Sequence, residues 1–170
     1  REQPRKECPM SKISPCLWFA SEAEEAARFY VSLLPDSRID HVQKNVGDSP
    51  AGKDGTVLVV AFTLAGQSYI ALNGGARPEH THAISFSIDC ADQAEVDRLW
   101  DGLSQGGAVV QCGWLRDRYG VSWQIVPRIL PKLLADPDRA KAARVMQAMM
   151  QMVKLDIAGL QAAAEGEAGA

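Results

Sequence analysis

The chain has 170 residues, a formal net charge of −3 and a pI near 5.6, which gives room for one ordinary domain or two small modules and no general attraction for phosphate. Its Lys and Arg residues are scattered rather than clustered, so nucleic acid is not expected as a partner. No apolar run approaches the ~20 residues that a bilayer span needs, and the N-terminal stretch lacks the apolar core of a signal peptide, so a cytoplasmic protein without a membrane partner is expected.

Residues 1–9 are polar and rich in Arg, Lys and Glu, and read as a tag or flexible leader ahead of Met10. Ile13 to Phe19 is apolar enough for a strand, with Pro15 confining it to a sheet edge or the strand's start. Ser21 and Glu24 have the spacing of a capping box. Behind them Ala23, Ala26, Ala27, Tyr30, Leu33 and Leu34 recur at helical spacing until Pro35 stops the helix. Ser37 to Lys44 reads as a strand and Gly47 to Gly55 as a loop of Gly, Asp, Ser and Pro. Thr56 to Leu64 and Gln67 to Asn73 read as a hairpin joined across Ala65-Gly66.

After the turn-prone stretch Gly74 to Glu79 the same order starts again. His82 to Ile88 alternates Ile84, Phe86 and Ile88 against Ala83, Ser85 and Ser87, the period of a strand. Asp92, with Glu95 three residues on, caps a second helix whose stripe is Val96, Leu99, Trp100 and Leu103 and which ends at Gly106-Gly107. Laid over one another, the helices match Glu25 with Glu95, Phe29 with Leu99, Tyr30 with Trp100 and Leu33 with Leu103.

Gly113 to Pro127 is the stretch that organises this half. A charged turn closed by Gly120 feeds a run with Ser122, Gln124 and Val126 on one face and Trp123 and Ile125 on the other. Gly66-Gln67-Ser68-Tyr69-Ile70-Ala71-Leu72 lies over Gly120-Val121-Ser122-Trp123-Gln124-Ile125-Val126 with glycine, serine and an aromatic in step. The pattern predicts an α+β fold of two βαβββ modules, about residues 12–75 and 80–128 within a domain of residues 10–128. Eight strands of a curled mixed sheet would surround an open trough, a natural small-molecule site.

Beyond Pro127 the pattern is helical only, an extension over residues 129–164. It begins with a short Leu130 to Leu134 piece, continues after Asp136 as cap with Pro137 at the first helical position, and closes with a short helix from Asp156 through Leu160 and Ala164. Ala142, Ala143, Met146, Met149, Met150 and Val153 form a methionine-rich stripe that reads as packing against the sheet or a second copy of the chain. Residues 165–170 read as a frayed tail.

The double module resembles the vicinal-oxygen-chelate superfamily of glyoxalases, extradiol dioxygenases and antibiotic-resistance proteins. Its PhnB-like branch, often labelled 3-demethylubiquinone-9 3-methyltransferase, is resembled by Ile13-Ser14-Pro15-Cys16-Leu17-Trp18-Phe19, Glu24-Glu25-Ala26-Ala27-Arg28-Phe29-Tyr30, Leu72-Asn73-Gly74-Gly75 and Tyr119-Gly120-Val121-Ser122-Trp123-Gln124-Ile125-Val126-Pro127. The resemblance runs from about Lys12 to Ala164 and implies a homodimer, a state that the apolar extension also favours.

The resemblance further implies where a metal would be held, with His or Glu on the first and last strands of each module. Those positions fall at about Pro15, Ile70, Ala83 and Gln124, which offer a single neutral amide as a ligand. His80 and His82, two apart and so on one face of a strand, are the weak alternative for a metal, and no third ligand lies near them. No tightly bound metal and no other cofactor is therefore expected.

A methyltransferase using S-adenosylmethionine needs a Gly-rich turn between a strand and a helix, whereas Gly74-Gly75 leads to a strand and Gly106-Gly107 follows a helix. The four cysteines, Cys8, Cys16, Cys90 and Cys112, lack CxxC spacing and histidine neighbours and read as free packing thiols, with Asp89 raising the pKa of Cys90.

Alternation places Pro15, Leu17, Phe19, Ser85, Ser87, Ser122 and Gln124 in the trough, an apolar wall with a few neutral hydrogen-bonding groups. Trp18, Trp100, Trp114 and Trp123 fall under the helices, and Arg116, Asp117 and Arg118 form a solvated turn in which Asp117 can bond backbone amides. The reading that follows is a protein that binds a small organic molecule. A metal-dependent glyoxalase-like lyase or dioxygenase and a non-catalytic sequestering or regulatory protein are the alternatives. Whether it is an enzyme, and with which catalytic residues, stays open at this level.

Overall fold

Thirteen elements follow one another in the computed structural model, which describes residues 11–166. The leader expected at residues 1–9 lies outside the described residues, as do the last four residues of the tail. The chain divides between Pro78 and Glu79 into two compact units.

The first unit contains β1 (Cys16–Phe19), α1 (Ala23–Leu33), β2 (Arg38–Lys44), β3 (Val57–Leu64) and β4 (Gln67–Asn73). Its sheet has the order β1-β4-β3-β2, with β1 parallel to β4 and the other pairs antiparallel. Ala65 and Gly66 both take positive φ, 46° and 80°, the geometry that lets a two-residue turn follow the twist of its hairpin. The core lies between α1 and one face of the sheet. Tyr30 stacks on Phe62 at 6.4 Å between centroids and Phe62 on Tyr69 at 5.5 Å, while Ala23, Ala26, Ala27, Val60 and Ala71 are fully buried. Burial of side chains such as Tyr30 and Phe62 is worth about 1.5–3 kcal/mol each.

The start of α1 departs from expectation. Ser21 and Glu24 do not form a capping box. Glu22 holds the cap position without a side-chain bond into the helix, Glu24 pairs instead with Arg28 at 2.7 Å, and the open amide of Ala23 donates to Asn73 Oδ1 of β4 at 2.9 Å. A strand side chain has taken over the work of a local cap.

The second unit repeats the order with β5 (Phe86–Cys90), α2 (Gln93–Ser104), β6 (Ala108–Val109), β7 (Trp114–Arg116) and β8 (Ser122–Pro127), arranged β5-β8-β7-β6. Here the capping box does form, with Glu95 N donating to Asp92 Oδ1 at 2.9 Å and Ala91 N to Glu95 Oε2 at 2.7 Å. Val96, Leu99, Trp100 and Leu103 are buried with Leu115, Trp123 and Ile125, so the stripe and the inner face of β8 meet as expected. The strand expected over His82 to Ile88 starts only at Phe86. Residues 82–84 are a turn, and Ile84 is 74% exposed.

The C-terminal extension belongs to this unit: α3 (Ile129–Leu134), α4 (Arg139–Met150) and α5 (Ile157–Glu165). Leu130, Val145, Leu155, Leu160 and Ala164 form its core, with Met149 and Met152 packed alongside. Met146, Met150 and Val153 are exposed on the single chain, and the line of α4 that packs within it passes through Val145 and Met149, one turn apart. Asp138 rather than Asp136 caps α4, accepting from Ala140 and Lys141, and Asp136 pairs with Lys141 at 2.8 Å. Asp156 caps α5 through Gly159, and Glu165, expected in the tail, is helical, with Gly166 at φ 81° closing the helix. The extension is fastened by Gln93 of α2, whose amide donates to Leu155 O and accepts from Ile157 N, and by the Cys112 and Gly113 amides, which donate to Met152 O and Val153 O.

Candidate functional site

Each sheet has one face covered by its helix, and a functional surface must lie on the other. In the first unit, register decides which residues those are. Cys16 pairs with Ile70, Leu17 with Ala71, Trp18 with Leu72 and Phe19 with Asn73. Leu17, 7% exposed, and Phe19, 2% exposed, share the face of Ala71 and Asn73 that packs on α1, and Pro15 precedes the strand, accepting from Ile70 N through its carbonyl. The expected trough positions Leu17 and Phe19 are therefore core. Cys16 and Trp18 stand on the opposite face with Ile70 and Leu72.

Trp18, expected under a helix, lies across Gly74. A Cβ on Gly74 would stand only 1.8 Å from the indole, whose N–H donates to Ala76 O at 2.9 Å. The face is apolar. Its one thiol, on the exposed residue Cys16, is pushed above its ordinary pKa by partial burial.

In the second unit Ser87, Ser122 and Gln124 lie on the sheet face away from α2, and Ser85 just precedes β5. Ser87 pairs with Gln124 across β5 and β8, and Trp114 pairs with Gln124 from the other side, while Phe86, Ile88, Trp123 and Ile125 fill the helix-facing rows. Gln124 Nε2 donates to Ser85 Oγ at 2.9 Å. Ser122 Oγ and His82 Nδ1 are 2.9 Å apart, and the His82 ring meets that of Trp114 edge-on at 5.7 Å. His82 is thus brought to the open face from a turn rather than from a strand, and it covers Ser122, which is 1% exposed.

Sequence reasoning missed Arg116. Trp114 and Arg116 alternate with the buried Leu115 and so share the open face with Gln124 and Ser122. The three charges expected in one solvated turn have separate fates. Arg118 is exposed, Arg116 is half-buried, and Asp117 is 3% exposed. Asp117 Oδ1 accepts from the Tyr119 and Val121 amides at 2.8 and 3.1 Å, and Oδ2 accepts from the Trp123 indole at 2.9 Å, so it knits the hairpin to the core. Extending the alternation of β8 across the turn to Trp114 and Arg116 would have found this signal.

The superfamily's metal does not fit these residues. Pro15, Ile70 and Ala83 carry no donor atom in their side chains, Ala83 lies in the turn before β5, and the Gln124 amide already bonds Ser85. Among the described residues no three His, Cys, Asp or Glu side chains converge as a metal site. Cys90 is buried, and burial first, then the negative charges of Glu95 and Asp89, push its thiol up to about 12. That thiol is not a nucleophile at neutral pH. No helix among the described residues is long and apolar enough to cross a membrane.

The comparisons with other proteins agree with this architecture. The sequence profile described as 3-demethylubiquinone-9 3-methyltransferase matches residues 11–126. The PhnB protein of Bacillus cereus, which carries the same family description, is 35% identical with a TM-score of 0.63, over 69% of this chain and 99% of its own. A protein from Pseudomonas aeruginosa is 26% identical with a TM-score of 0.56, over 69% of this chain and 97% of its own. No curated protein matches at a significant level. With both modules in the same strand order and the family profile spanning them, this chain belongs to the PhnB-like branch of the vicinal-oxygen-chelate superfamily, the family described as 3-demethylubiquinone-9 3-methyltransferase.

Proposed function

We propose that the protein binds a small organic molecule on the open face of the second unit's sheet, held by its own side chains and without a tightly bound metal. The observation that carries this reading is the composition of that face. Ser85, Ser87, Gln124, His82 and Arg116 offer hydrogen bonds beside the flat surface of Trp114, while the positions at which the superfamily holds a metal carry Pro15, Ile70, Ala83 and Gln124. A few directed polar groups beside an aromatic wall are the usual make-up of an organic-ligand site. The methyltransferase description finds no support in the glycines: Gly74-Gly75 follows β4 and leads toward β5, and Gly106-Gly107 follows α2.

The test is calorimetric titration of the metal-stripped protein with Zn, Ni and Mn, followed by an organic-fragment screen in the presence of chelator. The reading predicts fragment binding that chelator does not change. Micromolar metal binding that His82→Ala abolishes would contradict it. The same reading takes the exposed Met146, Met150 and Val153 as a face that a second copy of the chain covers. Sedimentation at micromolar concentration should then give twice the 18.4 kDa of the chain, and a monomer would remove this part.

A further inference from the structure

We infer that Arg116 anchors the carboxylate of an organic acid on this face, an inference that rests on the binding reading above and narrows its ligand class. Among the described residues, Arg116 Nε is closed off from solvent and meets no acceptor, and the guanidinium takes part in none of the ion pairs. A buried polar group is ordinarily hydrogen-bonded, because one left alone forfeits hydration without compensation, and the Nε of this half-buried side chain is such a group.

Its neighbours explain why the fold supplies no partner. Across the sheet, Arg116 lies between Ala108 of β6, which has no polar side-chain atom, and Ser122 of β8, whose hydroxyl is engaged with His82. The adjacent carboxylate of Asp117 points to the other face and is spent on two amides and the Trp123 indole. The charge is therefore built into the face without a counter-ion among the described residues.

The ligand class follows from the match of charge and shape. A guanidinium presents a planar fork that pairs with a planar carboxylate through two parallel hydrogen bonds, and its flexible stem lets it turn toward such a group. A single cation among Ser, Gln and His side chains balances one negative charge and leaves a phosphate dianion under-compensated. Trp114, on the same face, gives the apolar remainder of an organic acid a flat wall.

The experiment titrates benzoate, phenylacetate and cinnamate, each beside its primary amide, into the chelator-treated protein and into Arg116→Gln, Arg116→Lys and Arg116→Met. The inference predicts that the acids bind at least about tenfold more tightly than their amides, a size expected of a charge-assisted bidentate pair. Arg116→Gln should erase that preference and Arg116→Lys keep only part of it. Without ligand, Arg116→Met should melt no lower than the wild type, because it removes an uncompensated charge; a fall of several degrees would make Arg116 a structural residue and overturn the inference. If the amides bind as well as the acids, or the preference survives in Arg116→Gln, the carboxylate anchor is wrong and the binding reading stands. If no probe binds at millimolar concentration, both fall.

Discussion

The two units have the same strand order and the same apolar contact between helix and sheet, yet the central rows of their outer faces differ in chemistry. On the helix side Phe62 with Tyr30 in one unit answers Trp123 with Trp100 in the other. On the outer side the row Cys16-Ile70 is replaced by Ser87-Gln124, with Gln124 bonded to Ser85, and the row Trp18-Leu72 by Asp89-Val126. The inner face must exclude water for the module to fold, so its chemistry is constrained twice over. The outer face is free of that demand, and in the second unit it carries an unpaired cation that no packing argument requires.

The largest effects should come from the shared inner faces. Phe62→Ala and Trp123→Ala are each expected to cost about 3–5 kcal/mol in urea unfolding, whereas Ile70→Ala on the outer face, half-buried, should cost markedly less. Equal losses at all three would break the division into constrained and free faces. Next is Asp117→Ala, which strands two amides and an indole N–H inside the second unit and is expected to cost about 2–3 kcal/mol.

Smaller still are the helix starts, and here the units differ in a testable way. Asp92→Ala should cost about 1 kcal/mol through its local cap. In the first unit the loss should come from Asn73→Ala on a strand, about 1–2 kcal/mol because the Val57 carbonyl is freed together with the Ala23 amide, with Ser21→Ala silent. The smallest effect concerns Cys90. Its folded thiol holds its proton up to about 12, so its contribution is complete below the ordinary thiol value and is lost as the pH rises from that value toward about 12. Wild type should therefore lose stability relative to Cys90→Ala when urea unfolding is moved from about pH 8 to about pH 10.5, and at the lower pH Cys90 should resist alkylation until denaturant is added.

Most of the fold was legible because period and punctuation agreed. The bounds of β4 and the Asp92 and Glu95 box followed directly from alternation and cap spacing. The first strand was not legible, since Cys16, Leu17, Trp18 and Phe19 are all compatible with a buried face and offer no polar beat. Register with β4 alone fixes that Leu17 and Phe19 turn inward, one residue out of step with the serines expected to match them. Arg116 escaped for a different reason: three consecutive charges look like a solvated turn until the hairpin pairs Arg116 with Ser122 and buries Asp117. His82 reaches Ser122 through a turn, a contact that strand periodicity cannot express.

The central claim is that the polar outer face of the second unit holds an organic ligand without help from a metal. Backbone and side-chain amide chemical shifts, followed in chelator while benzoate is added, test it most directly. The account predicts saturable shifts concentrated at Ser85, Ser87, Trp114, Arg116, Ser122 and Gln124, unchanged by added Zn or Mn. Shifts confined to the Trp18 and Ile70 face, or seen only once metal is supplied, would contradict it.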